Sequence, residues 1–209
     1  MEIEAKFTVP DAKTAHVLST LKRLNGYTLG AAKTLSMRDT FYDTPQHNFR
    51  AARQVLRVRQ RSDGRFIVTL KGDTERRDAI HSRSEIEVTL KKLNKGHLDI
   101  AAMPSPELRH ALTQIAGEQP LAPLMSIQQR RTVRAVRHAR RMIGEWSSDR
   151  VQFRAGTRRR VFYELEIELK KSGTVNDLEK IAEVLAREWR LLPQWESKFA
   201  RALKFLDGD

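Results

Sequence analysis

The chain contains no cysteine among its 209 residues, which excludes disulfide frameworks, thiolate metal sites and cysteine nucleophiles at once. Any metal must therefore be held by oxygen or imidazole. Nowhere does an apolar run approach the length needed to cross a bilayer, so no membrane partner is expected. Met1 leads directly into acidic residues, without the basic start and apolar stretch of a secretory signal, and a cytoplasmic location is expected. A Walker-type glycine loop is missing as well, which argues against a P-loop nucleotide site. Histidines stand at 16, 47, 81, 97, 110 and 138, show no paired ligand spacing and read as surface or loop residues. Trp146, Trp189 and Trp195 read as core rather than as base-stacking platforms.

What the chain does have is charge. Lys and Arg outnumber Asp and Glu by 39 to 26, a formal +13, which favours nucleic acid, anionic lipid or phosphate compounds as partners without choosing among them. Hydrophobic residues at 40% suffice for a real core. No repeat, low-complexity tract or linker divides the sequence, and residues 1–209 read as one domain.

Glu2 to Val9 reads as a strand closed by Pro10, followed by a helix capped by Asp11 and carrying Ala15, Val17, Leu18, Leu21 and Leu24. A strand ends at TFYDTP, because Pro45 cannot continue a ladder. QVLRVRQR and FIVTLKG flank Asp63-Gly64 as a hairpin, and HSRSEIEVTLKK is a further strand. Ser105-Pro106-Glu107 opens a helix. Three long strands follow, SIQQRRTVRAVR, RRMIGEWSSDRVQF and RRRVFYELEIELKK, then a helix from about Val175 to Trp189 and one more in ESKFARALKF. The sum is about eight strands, mostly antiparallel, with three or four helices: an α+β domain whose sheet is large enough to close into a barrel.

Strand side chains alternate faces, so Glu2, Glu4 and Lys6 oppose Ile3, Ala5 and Phe7. The same parity sets Arg57 and Arg59 against Leu56 and Val58, Lys71 against Leu70, and Arg83, Glu85 and Glu87 against Ile86 and Val88. It also groups Glu145 with Asp149, and Glu164, Glu166, Glu168 and Lys170 opposite Leu165, Ile167 and Leu169. Two arrangements fit. An open sheet could turn its charged face to water, or a closed barrel could line its interior with charge, which is costly unless water, metal or a charged ligand fills it. Dense carboxylates on some strands and basic clusters on others suit divalent cations together with phosphate oxygens.

The motifs EIEAK at 2–6, FYDT at 41–44, LRVR at 56–59, VTLKG at 68–72, RSEIE at 83–87, ELEIELK at 164–170 and SKFAR at 197–201 resemble, in order, those of the CYTH superfamily, the triphosphate tunnel metalloenzymes. The resemblance is closest in style to the inorganic triphosphatase CYTH domains. It implies an eight-stranded antiparallel β-barrel enclosing a triphosphate tunnel, with helices packed outside. It further implies a Mg²⁺- or Mn²⁺-dependent hydrolase of short linear triphosphates, above all inorganic tripolyphosphate, in which one metal bridges phosphate oxygens and a second positions the attacking water.

Carried over by position, Glu2, Glu4, Glu166 and Glu168 become metal-facing carboxylates, joined by Glu87 and Asp149, with Glu2, Glu4, Glu85 and Glu166 as the catalytic set. Lys6, Arg57, Arg59, Lys71 and Arg83 become phosphate ligands, with Lys198 from the C-terminal element and Arg130 in preference to Arg131 and Arg134. Relatives that act on thiamine or nucleoside triphosphates, or that cyclise ATP, keep those substrates as alternatives, and a C-terminal CHAD domain in a longer parent chain is a further expectation. A noncatalytic module binding polyphosphate or RNA, in the tunnel or on basic runs such as 137–141 and 158–160, is the reading from another class.

Overall fold

A computed structural model of the chain describes residues 2–93 and 98–208, with Thr74, Arg76 and Arg77 described by backbone alone. His97 lies outside the described residues. In chain order the elements are β1 (Glu2–Val9), α1 (Ala12–Thr20), β2 (Arg23–Leu24), β3 (Tyr27–Leu29), β4 (Lys33–Asp43), α2 (Asn48–Ala51), β5 (Val55–Arg61), β6 (Phe66–Arg77), β7 (Ile80–Leu90) and α3 (Pro106–Ala116). There follow β8 (Ala122–His138), β9 (Arg141–Ala155), β10 (Arg158–Leu169), α4 (Val175–Arg187), β11 (Leu192–Pro193) and α5 (Lys198–Asp207).

The helices begin where the sequence offers an oxygen to their free N–H groups. Asp11 accepts from Thr14 N at 2.7 Å, Ser105 accepts from Leu108 N ahead of Pro106, and Ser197 accepts from Ala200 N. Thr174 and Asp177 form a reciprocal capping box for α4. The apolar stripe of α1 does not run as far as its periodicity predicts. Leu21 takes an extended backbone and Leu24 falls in β2, because Asn25 and Gly26, at φ 40° and 83°, make the tight turn from β2 into β3. Asn-Gly favours such a turn, and here it outweighs helical periodicity.

Hydrogen-bonded strands follow the order β8-β4-β5-β6-β7-β1-β10-β9, and β9 pairs with β8 again. The two-residue β11 adds to β1, and the β2–β3 hairpin adds to β8. The fold class is α+β, and the eight long strands have the cyclic pairing of an antiparallel barrel. Among the described residues five helices accompany them. None of them is long and apolar enough to cross a membrane.

The chain forms two compact units, residues 1–35, 75–82 and 129–209 in the first and 36–74 and 83–128 in the second. Each has its own core. In the first unit Ala5, Phe7, Trp146, Leu165 and Ile167 from the strands pack with Leu18 of α1 and with Leu178, Ile181 and Leu185 of α4. In the second unit Leu56, Val58, Val68 and Leu70 pack with Phe49 of α2 and with Leu108 and Leu112 of α3. The apolar parity of the strands is thus the parity that meets the helices. In the first unit the centre of the opposite parity is not in water, since Glu4 and Lys6 are each 4% exposed, Asp149 2% and Glu164 1%. That burial excludes the open sheet with a solvated charged face.

Leu165→Ala, at a fully buried strand position, is expected to cost about 2–5 kcal/mol in urea denaturation. Thr28→Ala, at an exposed strand position, should stay within about 0.5 kcal/mol.

Candidate functional site

The buried charges of the first unit converge where β1, β9 and β10 lie side by side. Antiparallel register sets Lys6 opposite Glu166, Glu4 opposite Glu168, and Asp149 opposite Glu164. Residues facing each other across strands share a face, so parity alone brings the carboxylates together. Ligand oxygens of Asp149, Glu164 and Glu166 all lie within 4.8 Å of one another.

Like charges at that separation need cations, and the chain supplies them. Lys198, the first residue of α5, places Nζ 2.7 Å from Glu166 Oε1 and 3.1 Å from Asp149 Oδ2, and donates to Glu164 as well. Arg131 grips Asp149 with two donors, Nε at 2.7 Å and Nη2 at 2.5 Å, and also donates to Glu166. Lys6 Nζ sits 2.9 Å from Glu4 and 3.9 Å from Glu166. Arg201, one turn along α5, donates to Glu164 at 3.0 Å, and its guanidinium stacks over the Phe162 ring at 3.4 Å.

Position in this cluster tunes the acids differently. Burial, opposed by Lys198 and reinforced by Glu166, pushes the Glu164 carboxyl up to about 7. Burial would raise Glu166 too, but Lys198, Arg131 and Lys6 outweigh it and hold that carboxylate well below its usual range. For Lys198 burial disfavours the charge, while Glu164, Glu166 and Asp149 outweigh it and raise the ammonium above the usual lysine value.

Glu168 is set apart from the other two glutamates of its strand. It accepts from Lys170 at 2.5 Å, lies opposite Glu145, and is pushed up by burial and by Glu2 and Glu145 against the pull of Lys170. Glu2 acts electrostatically on both Glu168 and Lys170.

The second unit holds a cluster rich in basic residues on β4, β5, β6 and β7. Arg59 makes a two-pronged bond to Asp39 at 2.7 and 2.8 Å, and Arg57 Nη1 is 3.6 Å from the same carboxylate. Arg57 Nη2 donates to Thr69 at 3.0 Å, and Thr69 in turn donates to Glu87 at 3.3 Å. Lys71 donates to Glu85 at 2.9 Å. Arg57 Nε is buried with no hydrogen-bond partner. Burial and the neighbouring Arg59 lower the Arg57 pKa against the pull of Asp39, Glu85 and Glu87. A buried, partly unsatisfied guanidinium beside a second one has the chemistry of an anion receptor. Arg83 is half-buried on β7, and Glu87 is the exposed member of the set.

Several residues differ from their expected places. Arg130, expected as a phosphate ligand, is exposed, and its neighbour Arg131 is the arginine of this strand that pairs with Asp149 and Glu166. Arg134 is buried elsewhere, donating to the carbonyls of Ser19, Leu21, Leu29 and Gly30. His81 is a buried residue of β7, 3% exposed, and not a surface residue. Trp146 is core, Trp189 packs against the core and Trp195 is 47% exposed. Glu164, Arg201 and Asp39 join the clusters without having been singled out as site residues. Glu164 shares the parity of Glu166, which is the signal that could have found it. Asp39 carries no comparable mark.

The donor set fits a hard divalent cation: three carboxylates on rigid strands, offering oxygen ligands at converging positions. Lys198 and Arg131 now neutralise those same oxygens, so cation binding there would exchange one positive charge for another.

The family model of the CYTH domain matches residues 1–203. Comparison with curated proteins finds no match. Among solved structures, a Hippeastrum protein described as a proposed adenylyl cyclase with a dominant triphosphatase activity aligns at TM-score 0.77 and 18% identity, over 98% of this chain and 96% of that one. A proposed adenylate cyclase from Bacillus halodurans aligns at 0.67 and 20% identity, over 96% of both chains. A Pyrococcus horikoshii protein aligns at 0.62 and 17% identity, over 98% of this chain and 99% of that one. At these identities the likeness is one of fold.

Two measurements probe the cluster directly. A carboxyl whose folded value, about 7, exceeds its unfolded value of 4.5 takes up a proton on folding between the two, so its contribution to stability falls as pH rises through that window. Glu164→Gln should flatten that decline in melting temperature in EDTA, and an unchanged slope would mean that Glu164 does not titrate there. Lys198→Gln removes one partner of a buried set, with an expected cost of about 3–5 kcal/mol. Mn²⁺ should then raise the melting temperature of the variant more than that of the wild type, because only the wild type must displace an ammonium. Equal shifts would show that lysine and metal do not compete.

Proposed function

Because the chain belongs to the CYTH family, we propose that it is a divalent-metal-dependent hydrolase of short linear triphosphates, with inorganic tripolyphosphate as the preferred substrate. The observation that carries this reading is the convergence of Asp149, Glu164 and Glu166 within 4.8 Å in a buried setting. A pure anion binder gains nothing from three buried carboxylates unless a cation stands between them and the ligand.

Asp149, Glu164 and Glu166 would hold Mg²⁺ or Mn²⁺, with Glu4 close behind through Lys6. Glu2, Glu87 and Glu168 keep the metal-facing role, and Glu2 and Glu85 the catalytic role, that the family resemblance implies for them. When bound, the cation supplies a Lewis-acid charge for phosphate oxygens and for the attacking water. The chain's own residues do the rest. Arg57, Arg59 and Lys71 bind phosphate oxygens, and Arg83 and Lys6 are assigned the same role. Arg57 is suited to it by its unpartnered Nε–H, and Asp39 keeps Arg59 oriented through two bonds. Arg131 takes the part first given to Arg130. Lys198, which neutralises the carboxylates, would exchange them for phosphate oxygens as partners once a cation takes its place.

Adenylate cyclisation is the second reading, favoured by the descriptions of two of the structural relatives. Phosphate release from tripolyphosphate, ATP and thiamine triphosphate, with Mg²⁺, Mn²⁺ or EDTA, together with assay for cyclic AMP, separates the two. Tripolyphosphate turnover that requires a divalent cation and falls at least a hundredfold in Glu166→Gln is expected. Arg57→Ala and Arg59→Ala should each lower kcat/KM roughly ten- to a hundredfold, from the loss of a charged hydrogen bond worth about 1.5–3 kcal/mol. Undiminished activity in EDTA would remove the metal-dependent reading, and cyclic AMP as the main product would replace it with the second.

A further inference from the structure

We propose that the end of the β9–β10 hairpin forms a separate outer binding face for a chain of inorganic polyphosphate, built from Arg150, Arg154 and Arg159 around Gln152. Arg150, Gln152 and Arg154 alternate along one face of β9. Across from them on β10 stand Tyr163, Val161 and Arg159 in that order. This is the opposite parity from Asp149 and Glu164, so the face belongs to neither cluster described above.

Three observations point to an anion. First, half-buried Arg150 and the exposed Arg154 and Arg159 take part in no ion pair with a carboxylate among the described residues, which leaves all three guanidinium groups open to an anion. Second, Arg154 and Arg159 are directly opposite each other in the antiparallel register, where like charges destabilise a sheet. A bound polyanion turns that repulsion into attraction. Third, Gln152 is only 5% exposed and its Nε2 has no hydrogen-bond partner. A buried N–H without an acceptor is unfavourable, and this one lies between two arginines of its own strand, where a phosphate oxygen would be its acceptor.

The chemistry of the ligand follows from what surrounds these donors. Arg150 and Arg154 are four residues apart on one strand, a span of about 13–14 Å, which one phosphate cannot bridge and a chain of several can. Tyr163, the one aromatic ring of the face, packs against the apolar core of the first unit and leaves no platform for stacking bases. Donors without stacking surface favour a chain of phosphates over single-stranded RNA.

The test uses the full chain in EDTA, so that binding is read without hydrolysis and independently of whether the hydrolase reading holds. Fluorescence anisotropy follows end-labelled long-chain polyphosphate on the wild type, on Arg154→Thr with Arg159→Thr, on Gln152→Leu, and on Arg137→Thr with Arg140→Thr. The last pair consists of exposed arginines elsewhere in the same unit and makes the same change in net charge. Polyphosphate affinity should fall tenfold or more in the Arg154, Arg159 pair, several-fold in Gln152→Leu, and less than twofold in the control pair. The ligand-free melting temperature of the Arg154, Arg159 pair should equal or exceed that of the wild type, because a like-charge opposition has been removed. Equal losses in both arginine pairs, absence of wild-type binding, or single-stranded RNA of equal charge bound as tightly as polyphosphate would each overturn the proposal.

Discussion

Three carboxyl groups within 4.8 Å of one another inside a protein repel unless positive charge or a proton is held there with them, and in this cluster the larger part of the compensation is positive charge. Much of the first unit can be understood as the consequence. Asp149, Glu164 and Glu166 come together because adjacent antiparallel strands put equal parities on one face, and β1 brings Lys6 to the same face. Three further cations come from other elements, Arg201 of α5 among them. Arg131 arrives from β8 and Lys198 from the start of α5, so a strand neighbour and a terminal helix are both committed to balancing charges on β9 and β10. The apolar parity behind them packs on α1 and α4, which fixes the strands that carry the acids.

The second unit solves a related problem with the opposite sign. There a guanidinium pair is buried, and Asp39, Glu85 and Glu87 supply partial compensation. The compensation is incomplete, since Arg57 keeps one donor without an acceptor and its pKa is lowered. Acid-rich and base-rich faces therefore arise from one rule, strand alternation, applied to different residues.

That rule is why so much could be read from the sequence. EIEAK, LRVR and ELEIELK announce their faces by spacing alone, and the capping residues Asp11, Ser105 and Ser197 mark helix starts by local chemistry. What could not be read depends on contacts far apart in the chain. QQRRTVRAVR offers several arginines within a few positions, and only the packing of β8 determines that Arg131 meets Asp149 while Arg134 turns to backbone carbonyls 104 to 115 residues away. Asp39 is an ordinary acid in a strand until Arg59 stands across from it. The short β2–β3 hairpin was legible in Asn25-Gly26 but was hidden by apolar residues that also fit a helix.

The ten residues of α5 carry more than their length suggests. Its first residue, Lys198, neutralises the carboxylates, Arg201 holds Glu164, and Phe205 near its end lies within 5.2 and 5.6 Å of the Arg158 and Arg160 guanidinium carbons. Docking of this helix and the charge state of the cluster are therefore linked variables, each setting the other's equilibrium. A proteolytic cut ahead of Ser197, or any modification that loosens the Phe205 contact, would reach the acids as a change in local electrostatic potential, without altering a single residue on the strands that bear them.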